Sequence, residues 1–160
     1  ASAALAFLLI LLLLTPAKTY LVLHEVKTGR IVYHAPLAEG EVFSVSYTHS
    51  VNKSDVEEYY QLRGGAIYLI KLVYATFGAG MPTDAYAEGG TKLSYDDEGR
   101  MVIEGYDQLL PDLVYNIGMI ADHTLHIGGA NIHLTQLDQP QTALNFEIRR
   151  YRLWQAILLP

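Results

Sequence analysis

The sequence predicts an all-β fold, an antiparallel β-sandwich or barrel of about ten strands preceded by one N-terminal transmembrane helix. Three observations carry this expectation. Turn signals recur roughly every 8–12 residues, with alternating apolar and polar runs between them. Twelve Tyr stand against four Phe, a bias that suits amphipathic sheet faces better than a helical bundle. Residues 1–14 are apolar apart from Ser2, and the first charge is Lys18.

The bulk numbers exclude several classes. A chain of 160 residues is long enough for one domain with a real core. The net charge of −6 argues against nucleic acid, whose phosphates need clustered Lys and Arg. The chain has no cysteine, which removes disulfides, Cys-ligated zinc, iron–sulfur clusters and thiol nucleophiles.

The first fourteen residues read as a signal-peptide core or part of a membrane helix. Thr15-Pro16-Ala17 offers small residues where a signal peptidase could cut. Fourteen helical residues reach about 21 Å against a bilayer core of about 30 Å, and Thr15 to Ala17 with a few upstream residues would close the gap. A buried core helix is the poorest choice, because the run has no polar face. We read residues 1–18 as a membrane anchor, with an uncleaved signal segment as the alternative. Residues 19–152 are then an extracytoplasmic β domain, and residues 153–160 an apolar C-terminal tail.

The β domain opens with a hairpin, Tyr20–Val26 and Arg30–His34 around Lys27-Thr28-Gly29-Arg30. Val42–Thr48 alternates cleanly, with Phe43, Val45 and Tyr47 to one side and Ser44, Ser46 and Thr48 to the other. Val56–Leu62 follows, ended by Arg63-Gly64-Gly65. Ala66–Phe77 reads as a strand buried on both faces. Asp96-Asp97-Glu98-Gly99-Arg100 is a hairpin turn between Thr91–Tyr95 and Met101–Glu104. Gln108–Asp112 reads as a linker or a single helical turn, and Val114–Met119 as a strand. Gly128-Gly129 joins strands His123–Ile127 and Asn131–Leu137. In the last strand, Ala143–Tyr151, Leu144, Phe146 and Ile148 point inward.

The most site-like stretch is Phe43 to Glu58, which crowds a histidine, a hydroxyl and three carboxylates (His49, Ser50, Asp55, Glu57, Glu58). His49 and Ser50 with Asp55 resemble part of a nucleophilic set, but adjacent strand residues point to opposite faces and there is no Gly-x-Ser-x-Gly elbow. Asp55, Glu57 and Glu58 could offer oxygen to a hard cation, Asp55 and Glu57 from one face, without the spacing of a calcium loop. His123 and His126, three apart on a strand, face opposite sides, so a shared metal would need a bulge. The loop Gly78-Ala79-Gly80-Met81-Pro82-Thr83 could cradle an anion or present a protein-contact surface; it lacks the Gly-Lys-Ser/Thr of a phosphate loop. The tail joins Arg149, Arg150 and Arg152 to Leu153, Trp154 and Ile157-Leu158-Leu159, a pattern that suits a membrane interface or a partner groove.

Several of these stretches together resemble a bacterial family, domain of unknown function 1850. They are Tyr47-x-His49-Ser50-Val51, Val56-Glu57-Glu58, Phe77-Gly78-Ala79-Gly80-Met81-Pro82-Thr83, and His123-Thr124-Leu125 before a glycine hairpin. The resemblance runs from about residue 20 to residue 151. It implies a protein held by one N-terminal hydrophobic segment, whose gene lies beside TRAP transporters of the TAXI type. Those systems use an extracytoplasmic solute-binding protein and a sodium-coupled permease.

The expectation is thus a non-enzymatic accessory subunit of a TAXI-type TRAP transporter at the bacterial cytoplasmic membrane, with its globular domain outside. Its partners would be the permease subunit, the solute-binding protein as a further candidate, and the bilayer through residues 1–18, with no nucleic acid and no cofactor. Candidate ligand or partner contacts are His49, Ser50, Glu57, Gly78, Gly80, Met81, Pro82 and Thr83, with no catalytic or metal residues assigned. The alternative is an extracytoplasmic module that binds a small solute or cation. A hydrolase built on His49, Ser50 and Asp55 is the third and weakest reading.

Overall fold

The computed structural model describes residues 15–49, 53–75 and 90–159. Eleven strands form in the described residues: β1 (Lys18–Glu25), β2 (Ile31–Pro36), β3 (Val42–Thr48), β4 (Asp55–Arg63), β5 (Ala66–Tyr74), β6 (Lys92–Tyr95), β7 (Met101–Leu110), β8 (Leu113–Asn116), β9 (Thr124–Ile127), β10 (Ala130–His133) and β11 (Ala143–Tyr151). One short helix, α1 (Leu153–Ile157), follows the last strand. The strands make two antiparallel sheets, one ordered β2-β1-β11-β8 and the other β10-β9-β3-β4-β5-β7-β6. The architecture is therefore a sandwich rather than a closed barrel. Among the described residues no helix is long and apolar enough to cross a membrane. Of the expected N-terminal transmembrane helix, residues 1–14 lie outside the described set, residues 15–17 form no helix, and Lys18 opens β1.

Period-two patterning explains the core. Leu21 and Leu23 of β1, Phe43 and Val45 of β3, Tyr60 and Leu62 of β4, Leu125 and Ile127 of β9, and Leu144 and Phe146 of β11 all face the space between the sheets. Phe43 and Phe146 stack across it, with ring centroids 6.4 Å apart. Tyr60 lies against Phe43 at 5.2 Å and Tyr115 against Phe146 at 5.4 Å. These four rings form an aromatic seam from one sheet to the other, a large part of the buried apolar surface. On the far side of the smaller sheet, Tyr20 and Val22 pack under Ala156 of α1.

Three local expectations need correction. The segment Gln108–Asp112 is no linker: β7 continues to Leu110, pairing Ile67, Tyr68 and Leu69 with Leu110, Leu109 and Gln108. It does so through an irregularity at Gly105, whose φ of 89° and close approach to the Gly90 carbonyl suit only glycine. The run after Gly128-Gly129 stops as a strand at His133 and turns into a 3-10 segment, Leu134–Gln136, which drops Leu134 into the core. Strand β5 is buried only at Ile67, Leu72 and Val73, and its other six residues are partly exposed, so it is not a fully buried strand.

The register fixes two poles. Lys18 pairs with Tyr151 and Glu25 with Leu144, so both ends of the β domain leave at one pole. Thr19, Ile148 and Arg150 line a surface depression with Gly64 and Gly65, which places the β4–β5 turn at that same pole. The ends of β3 and β4 around Thr48 and Asp55 therefore lie at the opposite pole.

Candidate functional site

At the pole opposite the chain ends, two groups of polar side chains flank the same strands. One points into the sandwich. Along β4, Val56, Glu58, Tyr60 and Leu62 share the inward face, so the alternation of the strand drives a carboxylate toward the core. Glu58 Oε2 accepts a hydrogen bond from the Tyr60 hydroxyl at 2.7 Å and a short one from the Tyr115 hydroxyl. Its Oε1 accepts a longer bond, 3.4 Å, from Tyr47. The Tyr60 and Tyr115 oxygens lie 2.6 Å from each other. His123 closes the group, its ring 5.1 Å from that of Tyr47 and 5.3 Å from that of Tyr115.

Burial is the leading cause of the electrostatics of this cluster. It raises the Tyr47, Tyr60 and Tyr115 phenols above their ordinary value of 10.0, and the Glu58 charge adds to the effect. The phenols therefore stay protonated and act as donors to the carboxylate. Burial also lowers the His123 imidazole below its ordinary 6.5, against the opposing pull of Glu58 and Asp122. His123 Nδ1 is buried and has no hydrogen-bond partner among the described residues.

The second group faces outward. Ser44, Ser46 and Thr48 of β3 sit beside Asp55, Glu57 and Tyr59 of β4 and beside Thr124 and His126 of β9. Ser44 Oγ donates to Glu57 Oε1 at 2.7 Å. Tyr59 is pushed up to about 12, first by burial and then by its hydrogen bond to Glu57. Ser46 Oγ lies 2.7 Å from His126 Nε2, and His126 Nδ1 lies 2.8 Å from Asn131 Oδ1. Since Asn131 Oδ1 can only accept, Nδ1 carries the proton and Nε2 accepts from the serine. A cleft of about 380 Å³ opens over this face, lined by Ser46, Thr48, Asp55, Glu57, Asp122, Arg100 and His126 among others. Asp96 and Glu98 hold the Arg100 guanidinium in the β6–β7 turn.

The serine–histidine–amide chain has the order of a nucleophilic relay but not its surroundings. Ser46 lies on a strand paired on both sides. Its backbone N–H is committed to the sheet and offers no oxyanion donor. The arrangement orders a polar sheet face.

The structure brings only part of the sequence-derived set together. Glu57 lies in the cleft, on the face that Asp55 shares. His49 ends β3, and its backbone closes the next turn, with His49 N donating to Ser54 O at 2.8 Å and Lys53 N to His49 O at 2.9 Å. It does not line the cleft. Ser50, Gly78, Gly80, Met81, Pro82 and Thr83 lie outside the described residues. His123 and His126 do face opposite sides, one in the tyrosine cluster and one in the cleft. No three His, Asp or Glu among the described residues are placed to hold a metal ion. The sequence reading named Glu58 among the crowded carboxylates but did not join it to Tyr60 and Tyr115. The signal was parity: Glu58 alternates with Val56, Tyr60 and Leu62, an acid on an otherwise core-facing row.

The fold and these two polar groups define a small all-β sandwich with a carboxylate–tyrosine centre inside and a hydroxyl- and carboxylate-lined cleft outside. Residues 43–134, more than half of the chain, match the family model described as Domain of unknown function (DUF1850), and the chain belongs to that family. Three of the stretches that carry the likeness supply Tyr47, Glu58 and His123, which meet in the inner cluster. No curated protein and no solved structure matches the chain.

Two outcomes follow from the inner cluster. Tyr115→Phe removes the donor that reaches Glu58 from the smaller sheet and should cost about 1–3 kcal/mol in urea unfolding; a loss within about 0.5 kcal/mol would mean the bond contributes nothing. The His123 ring is held neutral in the fold, whereas the unfolded chain takes up its proton near 6.5. The stability this contributes is present above that value and lost as pH falls below it. The urea midpoint should therefore drop between about pH 7 and about pH 5, and His123→Gln should shrink that drop.

Proposed function

We propose that the chain is a membrane-anchored accessory subunit of a TAXI-type TRAP transporter, a sodium-coupled, binding-protein-dependent system. It acts by protein–protein contact with the permease, and the solute-binding protein is a second candidate partner. Residues 1–18 supply the anchor, and the β domain works outside the bacterial cytoplasmic membrane. The family likeness supplies the transporter context. The structural observation that favours contact over chemistry is an exposed apolar loop after β8. Met119 is 75% exposed and Ile120 68%, beside a shallow apolar depression that runs from Asn116 to Ala121 and includes Gln141. Large apolar side chains exposed together mark interaction surfaces. The polar centres next to this loop offer hydrogen bonds and charge but no equipped nucleophile. A tagged copy purified from native membranes should bring the permease with it, and Met119→Asp with Ile120→Asp should weaken that recovery without unfolding the domain. Repeated isolation of the chain alone would overturn the proposal.

The cleft favours a second reading, a module that binds a small solute. Its three carboxylates, Asp55, Glu57 and Asp122, outnumber the single guanidinium of Arg100, and hydroxyls of Ser46 and Thr48 stand between them. Such a lining suits a positively charged or hydroxyl-rich molecule. Thermal melting against a panel of amines, sugars, amino acids and calcium chloride tests it. A ligand at about 100 times its dissociation constant should add about 2.7 kcal/mol. Glu57→Gln should remove that gain, and an unchanged melt across the panel would end this reading.

A further inference from the structure

We propose that α1 and the two residues after it form a second membrane contact, seated in the interface of an anionic bilayer beside the anchor. The inference rests on the anchored reading and extends it to a named surface and a lipid class.

Three observations converge on one pole. Ala156 turns inward onto Tyr20 and Val22, and this fixes the roll of α1 on the sheet. Beside it Leu153, Ile157 and Leu158 are exposed by 47%, 70% and 77%. Leu153 and Ile157 are one helical turn apart and share a face, with Leu158 adjoining it. Exposed apolar side chains grouped together mark interaction surfaces.

Both chain segments beside α1 carry basic charge only, although Glu39 shares the depression with Thr19 and Arg150. Lys18, Arg150 and Arg152 are exposed at this pole. The backbone register sets Lys18 opposite Tyr151 and Thr19 opposite Arg150. Residues 1–24 and 148–160 contain no Asp or Glu, although the whole chain carries 17 and a net charge of −6. The carboxylates are thus kept out of both segments that meet at this pole. Basic side chains near an anionic surface, with apolar ones between them, are the composition of an interfacial helix.

The third observation is continuity. The apolar run of residues 1–14 ends only four residues before β1, and β1 is the strand that pairs with β11, directly ahead of α1. A chain that enters the bilayer through that run brings α1 to the headgroups with no further linker. The short helix gains little stability from its own length. Burying three aliphatic side chains among the upper acyl chains and pairing the basic groups with lipid phosphates supplies what the helix alone lacks.

Trp154 is the only tryptophan in the chain, so it reports on α1 alone. The full chain is reconstituted into phosphatidylcholine vesicles with and without phosphatidylglycerol, and with lipids brominated near the top of the acyl chains. Flotation reads the anchor; bromine quenching of Trp154 reads the helix. The expected result is flotation on both vesicles and quenching that is stronger on the anionic ones. Ile157→Asp with Leu158→Asp, both on the exposed face, should abolish quenching and leave flotation intact. Lys18→Glu with Arg150→Glu should lower quenching on anionic vesicles to the level seen on phosphatidylcholine. Flotation without quenching overturns the inference and leaves the anchor standing. Absence of flotation overturns the anchored reading and this inference with it. Quenching that is absent from lipid alone, with a Trp154 spectral change only when the permease is co-reconstituted, would assign the helix to a protein partner and also overturn the inference.

Discussion

The carboxylate of Glu58 ties the two sheets together. It belongs to the larger sheet, yet one of its donors, Tyr115, comes from the smaller one. Sandwich layers otherwise meet only through apolar side chains, which resist separation but fix relative position weakly. A charged acceptor held by phenols from both sides is directional. It sets how far β8 lies from β4, and through the aromatic seam it sets the facing of Phe43 and Phe146. The price is desolvation of a charge, offset by hydroxyl donors that burial keeps protonated.

This arrangement also explains why the site-bearing pole is built as it is. Tyr47 and Ser46 are neighbours on β3 and point to opposite faces, one to the inner carboxylate and one to the outer cleft. The same holds for Glu58 and Glu57 on β4, and for His123 and His126 around β9. Three strands therefore serve two polar environments through alternation alone. The loop that carries Met119 and Ile120 is tied to β3 as well, through the bond from Thr48 N to Ala121 O at 2.8 Å.

Most of the fold was legible in the sequence because turns and period-two runs are local. The strand Val42–Thr48 and the final strand Ala143–Tyr151 follow from alternation with no knowledge of their partners. The continuation of β7 past Gly105 was not legible, since a glycine inside a strand and a glycine ending one look alike until the neighbouring strand is present. The inner cluster was hidden for a related reason. Tyr60 and Tyr115 are 55 residues apart in the chain, and each reads as an ordinary core aromatic. Only Glu58 carried a local sign, its place on an apolar row, and its crowding with Asp55 and Glu57 drew attention to the outer face instead. His49, prominent for its company in the sequence, spends its backbone on closing a turn.

Neighbouring first and last strands have a mechanical consequence. With β1 hydrogen-bonded to β11 on one side and to β2 on the other, a pull along the leading segment loads both ladders, eight paired positions with β11 and five with β2. The start of β1 is thereby held from two sides. The far pole, where β3 and β4 carry the hydroxyls and carboxylates, lies at the other end of these ladders.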